Sequence, residues 1–323
     1  MNSDALSVPR GINKPIGRPP LGFASSPSMW GLVEDFPYWQ VVMKLYNEEK
    51  LSAAFELAIK LGAGLRASGV PWFRLVEAEN EAEKRGTVRQ INENISLQYV
   101  EEELGDGIES IIQVILEQTS WVARRFGWDG EELLLISLLP EDVDTSWATD
   151  RFGYCVRKEP YFKICIPHHA VVNFERFVQV LRHEYAHVVT LSLSHAKLPQ
   201  WLGEGFSVVA SGELSEESRR VFVMHPQAWL IPRRLETKFG RGVELGSQEK
   251  WLAYQQGGWI VQHLSSLKGE HELLQLMAAI GDESFLRNIK LGLQGRSRAD
   301  QALRDLYGLD ESRAFEQARA KLA

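Results

Sequence analysis

Residues 178–189 read VQVLRHEYAHVV and contain the pattern His183-Glu184-x-x-His187. Apolar residues flank the pattern on several sides, which predicts a buried helix. At helical spacing, His183 and His187 project from one face one turn apart, so both imidazoles can reach a single metal ion. Glu184 follows the first histidine around the helix, where it can take a proton from metal-bound water. The stretch therefore predicts a catalytic metal centre on a buried helix.

A second segment downstream supplies a third candidate ligand. Residues 198–206 read LPQWLGEGF and predict a second helix, with Pro199 near its first turn. The interval between His187 and Glu204 is long enough for a short loop and a return helix. A carboxylate at Glu204 would complete a His2Glu site for Zn²⁺, with water as the fourth ligand.

Taken together, His183-Glu184-x-x-His187 and Trp201-Leu202-x-Glu204-Gly205 resemble the gluzincin metallopeptidases, the group that includes thermolysin and the zinc aminopeptidases. The compact, peptidase-MA-like bacterial members are the most similar. The resemblance covers roughly residues 90–323 and implies an α+β, thermolysin-like (zincin) catalytic domain with a small sheet and zinc-binding helices. It implies His183, His187 and Glu204 as zinc ligands and Glu184 as general base. The Gly-x-Met-Glu-Asn-type segment of the family's aminopeptidases is not visible in residues 148–166, so aminopeptidase specificity is not implied.

Residues 251–259, WLAYQQGGW, contain a further catalytic candidate. Many members of the resembled family have a tyrosine-containing helix after the zinc motif, and its tyrosine often stabilises the oxyanion. The resemblance implies this role for Tyr254, and the alternative is a core tyrosine beside a tight helix crossing. Gly257 and Gly258 each cost a helix about 1 kcal/mol, which predicts that another element approaches this face closely.

The order of elements predicts an α+β fold, because strand patterns precede residue 170 and helix patterns dominate after it. Strands are predicted at 95–99, 133–139 and 161–166, with a long amphipathic helix over 104–126. The strand at 161–166 is expected to be an edge strand that lines the cleft, where an extended peptide can add by backbone hydrogen bonds. Residues 213–220 are interpreted as a solvated face.

The N-terminal part predicts a tail followed by a helical hairpin. Residues 1–35 are rich in Pro, Gly and Ser and are expected to be disordered. Residues 36–88 predict a hairpin similar to a single tetratricopeptide-type unit, with a third helix over 71–84. One such unit cannot bury both faces, so it must pack on the main domain or on a protein partner. The predicted peptidase domain is 89–323, with the sheet and zinc helices in 89–212 and a helical half in 213–323.

Composition excludes several classes of protein. The chain has 323 residues, 44% hydrophobic and 24% charged, as ordinary globular proteins do. A net charge of −7 argues against nucleic-acid binding, although Gly17-Arg18-Pro19 is similar to the core of a minor-groove AT-hook. Two cysteines, the lack of a secretory signal and the lack of a long apolar run predict a cytoplasmic protein without a membrane span.

Two functions follow from these patterns. The first is a zinc-dependent metallopeptidase that hydrolyses peptide bonds in a peptide or protein substrate, with Glu184 activating water. The alternative is a non-catalytic or regulatory zinc-binding protein that keeps a peptidase-like fold and uses the 36–88 hairpin for docking. The presence of Glu184 beside the ligand set favours the enzyme, because a purely structural zinc site would not need it.

Overall fold

A mixed five-stranded sheet lies at the centre of the protein, with helices on both of its faces. The computed structural model describes residues 37–61, 71–143, 153–158, 160–195, 197–239, 248–282, 284 and 297–322. The strands are β1 (Thr87–Gln90), β2 (Ile95–Tyr99), β3 (Leu134–Leu139), β4 (Tyr154–Lys158) and β5 (Tyr161–Pro167). All five precede residue 170, and the described part of the chain is mostly helical, which confirms the predicted α+β class.

Helices surround this sheet on both sides. The first seven are α1 (Pro37–Asn47), α2 (Leu51–Leu61), α3 (Pro71–Arg85), α4 (Glu101–Leu104), α5 (Ile108–Phe126), α6 (His168–Val171) and α7 (Phe174–Ser194). The others are α8 (Gln200–Ser211), α9 (Glu216–Met224), α10 (Pro232–Lys238), α11 (Gln248–Lys268), α12 (Glu270–Gly281), α13 (Arg298–Tyr307) and α14 (Glu311–Ala320). Within the described ranges, no helix combines the length and apolar character that crossing a membrane requires.

The strand order is β1-β2-β3-β5-β4, with β2, β3 and β5 parallel and the two outer strands antiparallel to their neighbours. The prediction that residues 161–166 form a strand is confirmed, but the prediction that this strand lies at the edge is wrong. It pairs with β3 on one side and with β4 on the other. The edge position belongs instead to β4, which comes just before β5 in the chain and is joined to it by a very short connection. Four of the five residues of β4 are buried.

The long helix predicted over 104–126 begins later, at Ile108. Gly105 has a left-handed backbone (φ +48°), and residues 105–107 form a 3₁₀ turn that separates α4 from α5. The helix ends as predicted, because Gly127 adopts φ +72° and its N–H caps the carbonyl of Ala123. The predicted amphipathic character also holds, since the buried residues of α5 form one stripe that is part of the main core.

The two faces of the sheet bury different helices. Alternating strand residues such as Leu97, Ile136 and Ile164 belong to the main core, together with buried residues of α5 and α7. The opposite face, which includes Val156 and Cys165, packs against α1–α3. The hairpin therefore buries apolar surface on the sheet, as predicted, while a protein partner for it stays a prediction. The division into domains also stays a prediction, and the tail 1–35 lies outside the described residues.

A charged cluster is buried where the hairpin meets the sheet, and we call its five residues the Glu79 cluster (Tyr46, Glu79, Tyr154, Lys158 and Lys163). The Lys163 ammonium donates to Glu79 Oε2 at 2.8 Å, and both side chains are almost fully buried. The Tyr46 and Tyr154 hydroxyls donate to Glu79 Oε1. Lys158 donates to the Tyr46 carbonyl at 2.8 Å and lies over its ring. These contacts join α1 and α3 to β4 and β5.

Helices α8 and α11 cross at a glycine pair. A Cβ added at Gly205 would lie 2.4 Å from the carbonyl carbon of Gly257, and one at Gly257 would lie 2.6 Å from the Trp201 carbonyl oxygen. A Cβ added at Gly258 would lie 2.7 Å from Val208 Cγ1 and 2.9 Å from Leu214 Cδ2. The prediction that another element approaches the two glycines of α11 is thus confirmed. The crossing fixes α8, the helix of Glu204, against α11, the helix of Tyr254.

The Gly205→Ala variant is expected to lower the free energy of unfolding by about 1–3 kcal/mol, because the new methyl group would meet backbone atoms that cannot move aside. Gly203→Ala, two residues away on the same helix, is the matched control. Apart from its chain neighbours and the backbone of its own helix, a Cβ at Gly203 would have no heavy atom within 4 Å, so alanine there should be neutral or stabilise by up to about 1 kcal/mol. Urea unfolding measures the free energy of unfolding of both variants. Equal values would contradict the close crossing of α8 and α11.

Candidate metal centre

Helix α7 carries both histidines of the motif and is as buried as the sequence predicts. Asn173 caps its start, with the side chain accepting a hydrogen bond from the Arg176 N–H. His183 and His187 lie one turn apart on the same face, with ring centroids 5.1 Å from each other. His187 is 1% exposed and His183 is 15% exposed at the side chain, so one end of the pair is closer to solvent.

Helix α8 begins directly after Pro199, as predicted, and places Glu204 opposite the two histidines. Glu204 Oε2 lies 3.6 Å from His183 Nε2 and 3.4 Å from His187 Nε2. One ligand atom from each of the three residues lies within 4.8 Å of the others, an arrangement that can hold a metal ion. Ligand atoms about 2.0–2.2 Å from a tetrahedral zinc lie about 3.4 Å apart, so the donor set fits this metal.

Glu184 lies on the same helix, is 4% exposed, and is not part of the ligand group. The chain passes close to it at Gly153, just before β4, where a Cβ would lie 3.1 Å from Glu184 Cγ. Cys155, two residues further along, is fully buried, and burial together with the charge of Glu184 raises the pKa of its thiol. A thiol that stays protonated is a poor nucleophile, so Cys155 is not suited to nucleophilic attack. The role of Glu184 as general base stays a prediction.

Tyr254 lies on α11 beside the histidines. Its ring centroid is 6.4 Å from that of His183 and 5.4 Å from that of Phe239. The structure therefore brings together all five residues singled out in the sequence, with Tyr254 at the margin. Its predicted role in stabilising an oxyanion stays a prediction, because a core tyrosine at the same crossing would have the same neighbours.

Glu213 is a residue of the site that its sequence context does not indicate, because the charged stretch 213–220 is typical of a solvated face. Glu213 Oε2 lies 2.6 Å from His183 Nδ1, and the Ser211 hydroxyl donates to the same oxygen at 2.8 Å. The interpretation as a solvated face is wrong for Glu213 but holds for charged neighbours such as Glu216 and Glu217, which are exposed. The sequence feature that could have indicated this position of Glu213 is Gly212. This glycine ends α8 in a left-handed conformation (φ +77°) and turns the chain back toward α7.

The carboxylates around His183 create a negative field. Burial by itself would lower the pKa of His183, but Glu213, Glu204 and Glu184 outweigh it and raise this pKa to about 10. Burial would likewise raise the pKa of Glu213, yet His183 and Ser211 hold it below its usual value. The same carboxylates would attract a metal cation, which binds His183 only by displacing a proton from the ring.

Comparison of the chain with protein-family models, with curated proteins and with solved structures found no match.

Proposed function

We propose that the protein is a zinc-dependent metallopeptidase with a thermolysin-like catalytic domain. The observation that carries the proposal is the convergence of His183, His187 and Glu204 from two helices, at separations that fit a tetrahedral His2Glu site. Three protein ligands leave a fourth position for water or substrate, which is the pattern of catalytic rather than structural zinc sites. The proposed substrate is a peptide or protein.

In the proposed mechanism the three ligands, Glu184 and Tyr254 have separate roles. A zinc ion held by the three ligands would supply Lewis acidity, polarising the scissile carbonyl and lowering the pKa of a water. Glu184, next to a ligand on α7, would accept the proton of that water on its carboxylate and pass it to the leaving amine. Tyr254 would donate a hydrogen bond to the oxyanion that develops on the substrate carbonyl.

The buried position of Glu184 supports the enzyme over the alternative of a regulatory zinc-binding protein. Burying a carboxylate costs free energy, and a structural metal site gains nothing from one outside its ligand set. The hairpin offers little support for the regulatory alternative, because the buried apolar residues of α1–α3 already pack on the sheet.

The test of the site is its metal content. Protein purified without chelator is expected to hold close to one zinc per chain, and His187→Ala should lose nearly all of it, because a two-ligand site binds zinc weakly. His225→Ala is the matched control, since His225 is exposed at the end of α9 and outside the ligand group. Elemental analysis of the three proteins gives the result.

Unchanged zinc in His187→Ala would refute the ligand assignment. Full zinc content without cleavage of any peptide in a diverse mixture would instead favour the regulatory alternative.

A further inference from the structure

The two ring nitrogens of His183 face different carboxylates. Nε2 points to the ligand group, 3.6 Å from Glu204 Oε2, whereas Nδ1 lies 2.6 Å from Glu213 Oε2. A metal ion binds an imidazole through the lone pair of one nitrogen, so the other nitrogen carries the remaining ring proton. A carboxylate accepts but does not donate, so a proton on Nδ1 is stabilised by Glu213 and the lone pair is directed to Nε2.

Glu213 is itself held in place from two sides. Its carboxylate accepts from the Ser211 hydroxyl at 2.8 Å. Its backbone carbonyl accepts from the side-chain amide of Gln255 at 2.9 Å, and the amide oxygen of Gln255 accepts from the Ser215 N–H at 2.7 Å. Gln255 is buried on α11, so the turn between α8 and α9 is tied to this helix. These contacts of the fold therefore position the carboxylate.

The second histidine has a different neighbour. Near His187 lies the hydroxyl of Ser207, 3.3 Å from Nδ1 and 3.4 Å from Nε2, a longer and uncharged contact. Charged hydrogen bonds are shorter and about twice as strong as neutral ones. The His183 side chain is also more exposed than that of His187. Packing therefore restricts its orientation less, and a hydrogen-bond partner does more to fix it.

We propose that Glu213 is a positioning residue of the metal centre, which fixes the tautomer and orientation of His183 so that Nε2 faces the ion. This inference rests on the proposed zinc site. The carboxylate contacts the ligand and not the reacting atoms, so its effect is expected in metal affinity before it is seen in turnover. Loss of such a partner typically weakens metal binding about 10–100-fold.

The experiment compares Glu213→Gln and Glu213→Ala with wild type in the full chain. Zinc affinity is measured by competition with a chromogenic chelator, and the Co²⁺-substituted proteins are examined by electronic absorption. Glu213→Ala should bind zinc about 10–100-fold more weakly and show an altered Co²⁺ spectrum. Glu213→Gln, whose amide oxygen can still accept from Nδ1, should fall between the two. Glu216→Gln, which removes an exposed charge three residues away, should match wild type.

Melting of the metal-free proteins separates positioning from folding. Equal zinc affinity and unchanged Co²⁺ spectra in both Glu213 variants would overturn the inference and leave the zinc site standing. A lowered melting temperature with unchanged affinity and spectra would assign Glu213 a purely structural role and also overturn it. If wild type binds no zinc, the proposed function fails, and this inference fails with it.

Discussion

The Glu184→Gln variant is expected to keep its zinc and its fold while its kcat for peptide hydrolysis falls about 10²–10⁴-fold, the usual contribution of a positioned general base. Glutamine has nearly the same shape, so the packing of the buried side chain on α7 is preserved. Its amide cannot accept a proton from water at neutral pH. Because the same carboxylate would also pass the proton to the leaving amine, both transfers are lost together.

Glu175→Gln is the matched control for this variant. Glu175 is exposed in the first turn of the same helix, so losing its charge should leave zinc content and cleavage unchanged. The measurement is single-turnover cleavage of a peptide that the wild type hydrolyses, with zinc content determined on the same samples. Cleavage that survives intact in Glu184→Gln would overturn the mechanism without removing the metal site.

The site helices were predictable because their signals are local. The spacing of His183 and His187 fixes a shared face once the segment is helical, and Pro199 marks the start of the helix that carries Glu204. The strand β3 and the end of α5 at Gly127 follow from short-range patterns in the same way. In each case the deciding residues lie within a few turns of one another.

The missed features depend on contacts between distant segments. No short pattern states that β4 pairs outside β5, so the edge was assigned to the wrong strand. Glu213 follows a helix end and resembles any solvated glutamate until the turn at Gly212 brings it to His183. Glu79 and Lys163 are also charged residues within ordinary patterns, and only the packing of α3 on the sheet makes them a buried pair.

The Lys163→Met variant is expected to lower the free energy of unfolding by about 3–5 kcal/mol, because it leaves a buried carboxylate without its nearest counter-charge. Glu79 has no exposed surface, and the remaining lysine of the Glu79 cluster, Lys158, contacts Glu49 and the carbonyl of Tyr46. Lys50→Met is the matched control, because Lys50 pairs with Glu48 at the surface, where such pairs contribute about 0–1 kcal/mol. Urea unfolding at neutral pH compares the two variants with wild type.

A second substitution tests whether the uncompensated charge of Glu79 causes the loss of stability in Lys163→Met. Adding Glu79→Gln to Lys163→Met removes that charge and keeps an oxygen to accept from the hydroxyls of Tyr46 and Tyr154. The double variant should therefore be more stable than Lys163→Met alone, although it carries one more change in the core. A double variant less stable than the single one would show that lost packing dominates.

The dependence on pH gives an independent check with a definite sign. In wild type, burial would raise the pKa of Glu79, but Lys163 and Lys158 hold it below its usual value. The pair therefore contributes its full stability above the unfolded-state pKa of about 4.3 and loses it as the pH falls through the lower folded-state pKa. Without Lys163, burial should raise the pKa of Glu79 in the folded variant above 4.3. The folded variant then binds a proton more tightly than the unfolded chain does, so it gains stability relative to wild type as the pH falls. The difference in unfolding free energy between the two proteins should thus be smaller at pH 5 than at pH 7, and a difference that stays constant would contradict a buried, charged Glu79.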